Sequence, residues 1–303
     1  VYSHGIYGDK TAGLYLSGNI LHRSKLSDEF TQKIKIPKTW YITSDGLLSF
    51  MQYNHLEDIA EQKYKSIEAV RKEYPYVSHV FKNASLPPKI SKGLSAMLDD
   101  FGEVPLVIRS TSLLEDRPNS IFAGKYKSLF ISNQGTKEER LEELSNAIAE
   151  VYASTFGPDP IEYRIERGLI DYNEEMAVMI QEVVGKKVGK YFFPAFAGVA
   201  FTQNNYRWSS RLTLEDGLIR MVPGLGTRAV DRLSNDYPVL IAPGKSNLRA
   251  NVSFDEIIKY SPKNIDLIDT EERCFKTVAV SDLLKECGNE YPIVNHVFSM
   301  ISG

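Results

Sequence analysis

Residues 105–130 read PLVIRSTSLLEDRPNSIFAGKYKSLF. A short apolar run, Leu106-Val107-Ile108, is bounded by Pro105 and predicts a buried strand. Arg109 follows at once, then the hydroxyl run Ser110-Thr111-Ser112, the acidic pair Glu115-Asp116, a breaker at Pro118 and the small-residue turn Phe122-Ala123-Gly124. Alternation resumes from Tyr126 to Ile131 and predicts a second strand. Strand, polar loop, small-residue turn, strand is a way for a sheet to present a cation and backbone donors to an anion. A guanidinium suits bidentate oxyanion recognition, so Arg109 is a candidate phosphate ligand; it is equally placed for a surface ion pair with Glu115 or Asp116. Lys125 and Lys127 either add charge there or form a solvent face.

Composition sets the class. With 303 residues the chain can bury a sizeable core in two or three lobes. A net charge of -3 gives no electrostatic case for nucleic acid. No apolar run approaches the ~20 residues that span a bilayer, so no membrane partner is expected. Two distant cysteines, Cys274 and Cys287, argue against a disulfide framework and for a reducing cytoplasm. The five histidines are scattered and none sits in a turn that would present a nucleophilic imidazole. The first residue is not Met, so the chain reads as a piece of a longer protein.

Towards the N-terminus, three glycines and Lys10 lead into a helix ending near His22. Glycine backbone and a helix start suit phosphate, although the P-loop spacing is missing and a start capped by Asp9 fits equally. Residues 34–43 predict a strand that Pro37 places at an edge or at a strand start, and Ser44-Asp45 predicts a cap for a helix through Tyr53. Leu56, Ile59, Ala60, Ile67 and Val70 predict one helical face, and a further helix runs from Ile90 to Leu98 and ends at Gly102.

Towards the C-terminus, Thr136 with Glu139 predicts a capping box ahead of an amphipathic helix through Tyr152, then a second helix carries Tyr163-Arg164. Residues 175–184 predict a buried strand, 185–189 a basic turn and 197–202 another strand. Residues 211–214 and 218–222 predict strands about an Asp216-Gly217 hairpin. A second glycine loop, Pro223 to Thr227, precedes Arg228, Asp231 and Arg232. A strand near 265–268 and helices at 281–285 and 291–300 complete the reading. Gln181-Glu182 either closes a base pocket or is a strand reaching water. Asp231 and Asp236 either hold a divalent metal or pair with Arg228 and Arg232.

Five segments in order, GDKTAGL (8–14), VIRSTSLLEDRPNSIFAGKYKSLF (107–130), YASTFGPDPIEYR (152–164), MAVMIQEVV (176–184) with GVAFT (198–202), and GLGTRAVDR (224–232), resemble the N-terminal nucleotide-binding domain of the phosphoenolpyruvate synthase and pyruvate phosphate dikinase family. The resemblance implies an α+β, ATP-grasp-like fold with a helical N-terminal region and two lobes sandwiching the nucleotide. The expected parts are a largely helical 1–104, a first lobe at 105–190 and a second at 191–303. It implies that Lys10 and Arg109 bind ATP phosphates, that Gly124 and Ser128 lie against them, and that Gln181, Glu182 and Val184 line the adenine and ribose pocket. Mg²⁺ would bridge the phosphates, and catalysis would be positioning and charge neutralisation.

Two departures qualify that expectation. The family commonly carries a metal-binding Glu after the glycine loop, and Thr227 stands there, so Asp231 or another carboxylate must substitute or metal binding is weakened. The family's swivelling domain with its phosphorylated histidine, and its pyruvate-binding barrel, are not in these residues. The expected function is an ATP-dependent phosphotransferase module passing a phosphoryl group to that histidine in a longer chain. A related dikinase with another acceptor, such as an antibiotic or a glucan, and a non-catalytic nucleotide-binding regulator are the alternatives.

Overall fold

The computed structural model describes residues 9–23, 29, 32–112, 125–172, 176–230 and 236–291. The chain forms two compact units, residues 1–183 and 184–303. The contacts join residues 1–104 to the sheet that follows and divide the chain at Val183/Val184.

Unit 1 is built on an antiparallel sheet of β1 (Thr39–Ile42), β2 (Leu106–Ser112), β3 (Ser128–Ile131) and β4 (Met176–Glu182), in the order β1-β4-β2-β3. β1 is an edge strand, as Pro37 implies. β2 does not stop at Ile108. It runs on through the hydroxyls to Ser112, and Ser110, Thr111 and Ser112 are fully buried. The expected polar loop is therefore strand as far as Ser112, because pairing with β4 continues to Met176 and satisfies the backbone.

Register decides which side chains share a face. Ile108 lies opposite Ile180, Ser110 opposite Val178 and Trp40 opposite Ile180. These positions face the helices: α2 (Asp45–Tyr53), α3 (Ile67–Lys82), α4 (Pro88–Phe101), α5 (Lys137–Ser154) and α6 (Pro158–Glu166). Leu106, Ile108, Val178 and Ile180 join Phe50, Phe81, Leu98, Ile148 and Tyr152 in one buried cluster. Phe50 stands 5.4 Å from Phe81 and 5.6 Å from Tyr152, centroid to centroid. Each such side chain contributes about 1.5–3 kcal/mol through removal from water.

Several local expectations hold. The Thr136–Glu139 capping box starts α5, and α4 ends at Gly102 with φ 66°. Others do not. Leu56 to Val70 is not one helix: a 3-10 segment, Glu57–Tyr64, is followed by a fresh start at Ser66, whose side chain accepts from the Ala69 N–H. That cap offers the backbone a new helix origin. Ser44 is itself helical in backbone and makes no capping bond; the Thr43 hydroxyl donates instead to Asp45 Oδ1 at 2.5 Å.

Unit 2 holds two sheets. β5 (Lys186–Val188), β6 (Tyr191–Phe193), β10 (Asn264–Asp269) and β11 (Cys274–Ala279) form one, ordered β11-β10-β6-β5, with the helix Val280–Cys287 packed on it. The basic turn expected at 185–189 is thus mostly strand, turning at Gly189-Lys190. β7 (Phe196–Phe201), β8 (Leu218–Pro223) and β9 (Val239–Ile241) form the other. The expected hairpin at Asp216-Gly217 is absent: residues 211–213 are not strand, Leu214–Asp216 is a 3-10 turn, and β8 pairs with β7. The Asp216 carboxylate accepts from the Thr213 N–H and hydroxyl, which favours that turn over a ladder. The helix expected at 291–300 lies outside the described residues except for Tyr291.

Candidate functional site

The face of the unit 1 sheet opposite the helical core carries the alternate residues of each strand. Pairing places Arg109 directly opposite Ser128 on β3 and Met179 on β4, and Val107 opposite Gln181 and Phe130. On β1, Thr39 lies opposite Gln181 and Tyr41 opposite Met179. Arg109, Ser128 and Gln181 therefore share one face, with Thr39, Tyr41 and Phe130. Arg109 is half-buried, and no described carboxylate pairs with it. Its suggested partners, Glu115 and Asp116, lie outside the described residues.

Lys10 comes to the same strand. α1 (Asp9–Arg23) contacts β2, and Lys10 Nζ donates to the Ser110 carbonyl at 3.0 Å. Two cations far apart in sequence thus converge on neighbouring residues of β2. Among the described residues, the buried hydroxyls of Thr11 and Thr111, each next in sequence to one of these positions, have no hydrogen-bond partner.

Gln181 and Glu182 separate. Gln181 Nε2 donates to Thr39 Oγ1 at 2.9 Å on the Arg109 face. Glu182 has the opposite parity, pairing with Leu106, and accepts from the Lys38 N–H at 2.9 Å with Lys35 Nζ at 3.1 Å. Burial opposes ionisation of Glu182, but the Lys38 N–H and the Lys35 ammonium outweigh it and hold its pKa below the usual carboxylate range. Val184 is exposed and is the first residue of unit 2. Gly124 and Asp231 lie outside the described residues.

In unit 2 the glycine loop is anchored to β10. Gly224 has φ 71°, and a Cβ there would sit 2.4 Å from both the Asp266 carbonyl oxygen and Ile265 Cγ1. The Leu225 N–H donates to that carbonyl at 2.8 Å. A four-residue helix, α7 (Thr227–Val230), follows. Its Thr227 hydroxyl donates to Asp266 Oδ2, and Arg228 joins Asp266 Oδ1 through Nε at 2.9 Å and Asp236 Oδ2 through Nη1 at 3.0 Å. Asp236 is therefore an ion-pair residue, the second of the two roles open to it. Among the described residues, no group of three His, Cys, Asp or Glu is arranged to hold a metal.

Asp266 is the residue that sequence reasoning passed over. Its signal was present: a carboxylate interrupting the apolar run of 264–268 in a buried strand. Tyr41, Thr39 and Phe130 were missed because their relation to Arg109 exists only once register is known.

A family model described as the pyruvate phosphate dikinase AMP/ATP-binding domain matches residues 5–286. Phosphoenolpyruvate synthase of Deinococcus radiodurans is 23% identical over 273 residues, covering 84% of this chain and 33% of that protein. Rifampicin phosphotransferase of Bacillus subtilis is 22% identical over 200 residues, 64% of this chain and 21% of that protein. Phosphoenolpyruvate synthase of Aquifex aeolicus is 23% identical over 180 residues, 56% and 20%. The chain thus spans a third or less of the length of these curated relatives. No described helix is long and apolar enough to cross a membrane. The match of the family model over almost the whole chain, on a mixed helix-and-sheet fold, means that the chain belongs to the pyruvate phosphate dikinase AMP/ATP-binding domain family.

Proposed function

We propose that the chain is the ATP-binding module of a phosphotransferase resembling phosphoenolpyruvate synthase and pyruvate phosphate dikinase, with an ATP-grasp architecture. The observation that carries this reading is the register of β2. It puts Arg109 beside Ser128 and on the face of Gln181, while Lys10 reaches Ser110 of the same strand. Two cations meeting at one strand, Arg109 on it and Lys10 from α1, suit a polyphosphate, and Gln181 with Tyr41 and Thr39 suits the base and sugar at the other end. The family resemblance further assigns Gly124 to the phosphates and Val184 to the base and ribose.

The phosphoryl group would pass to a histidine on a swivelling domain, and from there to a pyruvate-class acceptor, both in a longer chain. A related dikinase with another acceptor is supported by the relatives named rifampicin phosphotransferase. When bound, magnesium would supply charge neutralisation between the phosphates. The residues here bind and orient: Lys10 and Arg109 hold oxygens in place, and the apolar walls at Val107, Met179 and Phe130 exclude water.

A second reading, a non-catalytic nucleotide-binding regulator, is favoured by one observation. Thr227 stands at the family's metal Glu, and the neighbouring Asp266 is occupied by protein donors. Incubation of the longer chain with labelled ATP separates the two. Label on a histidine supports the enzyme; tight ATP binding with no transfer supports the regulator. A chain that binds no ATP refutes both.

A further inference from the structure

We propose that Arg228 is a built-in cation that replaces a divalent metal at the glycine loop of unit 2, so that nucleotide binding does not depend on a metal held by Asp236 or Asp266. The nucleotide part of this inference rests on the proposed function; the replacement itself does not.

The two carboxylates are already committed. Asp266 is buried, with 4% exposure. Its Oδ1 accepts from Arg228 Nε at 2.9 Å and from the Thr277 hydroxyl at 2.6 Å, and its Oδ2 accepts from the Thr227 hydroxyl. Asp236 is buried, with 7% exposure. Its Oδ2 accepts from Arg228 Nη1 at 3.0 Å, the Asn264 N–H at 3.1 Å and Asn264 Nδ2 at 3.2 Å. Its Oδ1 accepts from the N–H groups of Lys263 at 3.0 Å and Tyr237 at 3.1 Å. A carboxylate has about four lone-pair sites, so Asp236 has none to offer a metal and Asp266 has at most one.

The cation between them is permanent. A guanidinium stays protonated at any working pH, and its planar fork can serve two carboxylates at once. The Arg228 side chain is only 13% exposed and meets one aspartate through Nε and the other through Nη1. A metal entering here would have to expel the guanidinium from both partners and strand it. Thr227 fits this arrangement, because its hydroxyl donates to Asp266 where a carboxylate would repel it. The family's metal ligand has thus been exchanged for a hydroxyl that completes an internal salt-bridge network.

A consequence can be tested on the protein directly. Without Arg228, Asp236 keeps its four other donors, but Asp266 regains lone pairs beside the hydroxyl oxygens of Thr227 and Thr277, an all-oxygen set of the kind that hard divalent cations take. Removing the guanidinium exposes a latent metal site. We therefore expect Arg228→Gln to acquire Mn²⁺ binding that the wild-type chain lacks, read as loss of the free-Mn²⁺ electron paramagnetic resonance signal. Its thermal midpoint should rise with Mn²⁺. Arg228→Lys keeps a cation and should likewise gain no Mn²⁺ binding. If Arg228→Gln does not fold alone, refolding with and without Mn²⁺ gives the same readout.

For the wild-type chain, calorimetry should show ATP affinities in Mg²⁺ and in EDTA that agree within about threefold. An Arg228→Gln protein that gains no Mn²⁺ binding overturns the proposal. So does wild-type ATP binding that Mg²⁺ tightens tenfold or more, with the increment lost in Asp236→Asn or Asp266→Asn. ATP binding in neither condition refutes the nucleotide reading instead, while the Mn²⁺ titrations still decide the role of Arg228.

Discussion

Replacing Gly224 by alanine tests how the glycine loop of unit 2 is held. At φ 71° an alanine pays the left-handed penalty, about 1–2 kcal/mol. Its Cβ would also lie 2.4 Å from the Asp266 carbonyl oxygen and 2.4 Å from Ile265 Cγ1. Neither can retreat cheaply, since one is strand backbone and the other belongs to a fully buried side chain. Overpacking of this kind costs about 1–3 kcal/mol more, giving about 2–5 kcal/mol in total. Gly168→Ala is the matched control: its φ is 64°, and a Cβ there meets nothing within 4 Å, so about 1–2 kcal/mol of strain is expected alone. The two tryptophans, Trp40 and Trp208, fall one in each unit. Urea unfolding followed by fluorescence can therefore report unit 2 in a Trp40→Phe background and unit 1 in Trp208→Phe. Gly224→Ala should lower unit 2 stability by more than Gly168→Ala lowers unit 1. Equal losses would refute the argument that close approach to β10, and not φ alone, requires glycine.

Three further outcomes follow from particular bonds. Thr136→Ala removes the hydroxyl that accepts from the Glu139 N–H, and should cost unit 1 about 0.5–2 kcal/mol in urea unfolding. Because the folded pKa of Glu182 is depressed, its ionic contribution is fully present above the unfolded value of about 4.3 and is lost as pH falls through the folded value. The stability gap between wild type and Glu182→Gln should therefore be widest near neutrality and shrink below about pH 4; a gap that grows on acidification contradicts the assignment. Lys10→Ala should weaken ATP binding while costing unit 1 about 1.5–3 kcal/mol in urea unfolding, the worth of a hydrogen bond made by a charged group.

Sequence periodicity located most elements, because they rest on local chemistry. The Thr136 capping box, the glycine after α4 and the apolar run at 106–108 each act within a few residues. What failed depended on distant partners. Ser110 to Ser112 look like a loop by composition, yet β4 supplies a ladder through Ser112↔Met176 that makes them strand. Residues 211–214 look like strand, yet the Asp216 carboxylate turns them by local bonding. For the site, the cations Lys10 and Arg109 were legible as residue types in glycine- and hydroxyl-rich contexts. Their convergence on β2 was not, because Lys10 and Ser110 are 100 residues apart. The split of Gln181 from Glu182 follows from strand parity, which a two-residue motif conceals. Asp266 is not legible as a partner of the glycine loop, because Thr227 and Arg228 reach it across nearly forty residues.

The central claim is that the Arg109 face of the unit 1 sheet binds the phosphates of ATP. Isothermal calorimetry of ATP with the wild-type chain and with Arg109→Ala tests it most directly, with circular dichroism showing that the variant is folded. A hydrogen bond to a charged group is worth about 1.5–3 kcal/mol, so the account predicts that ATP binds the wild type and that Arg109→Ala weakens it by about 10- to 150-fold. An affinity unchanged by Arg109→Ala, or a wild-type chain that takes up no ATP heat at all, would contradict it.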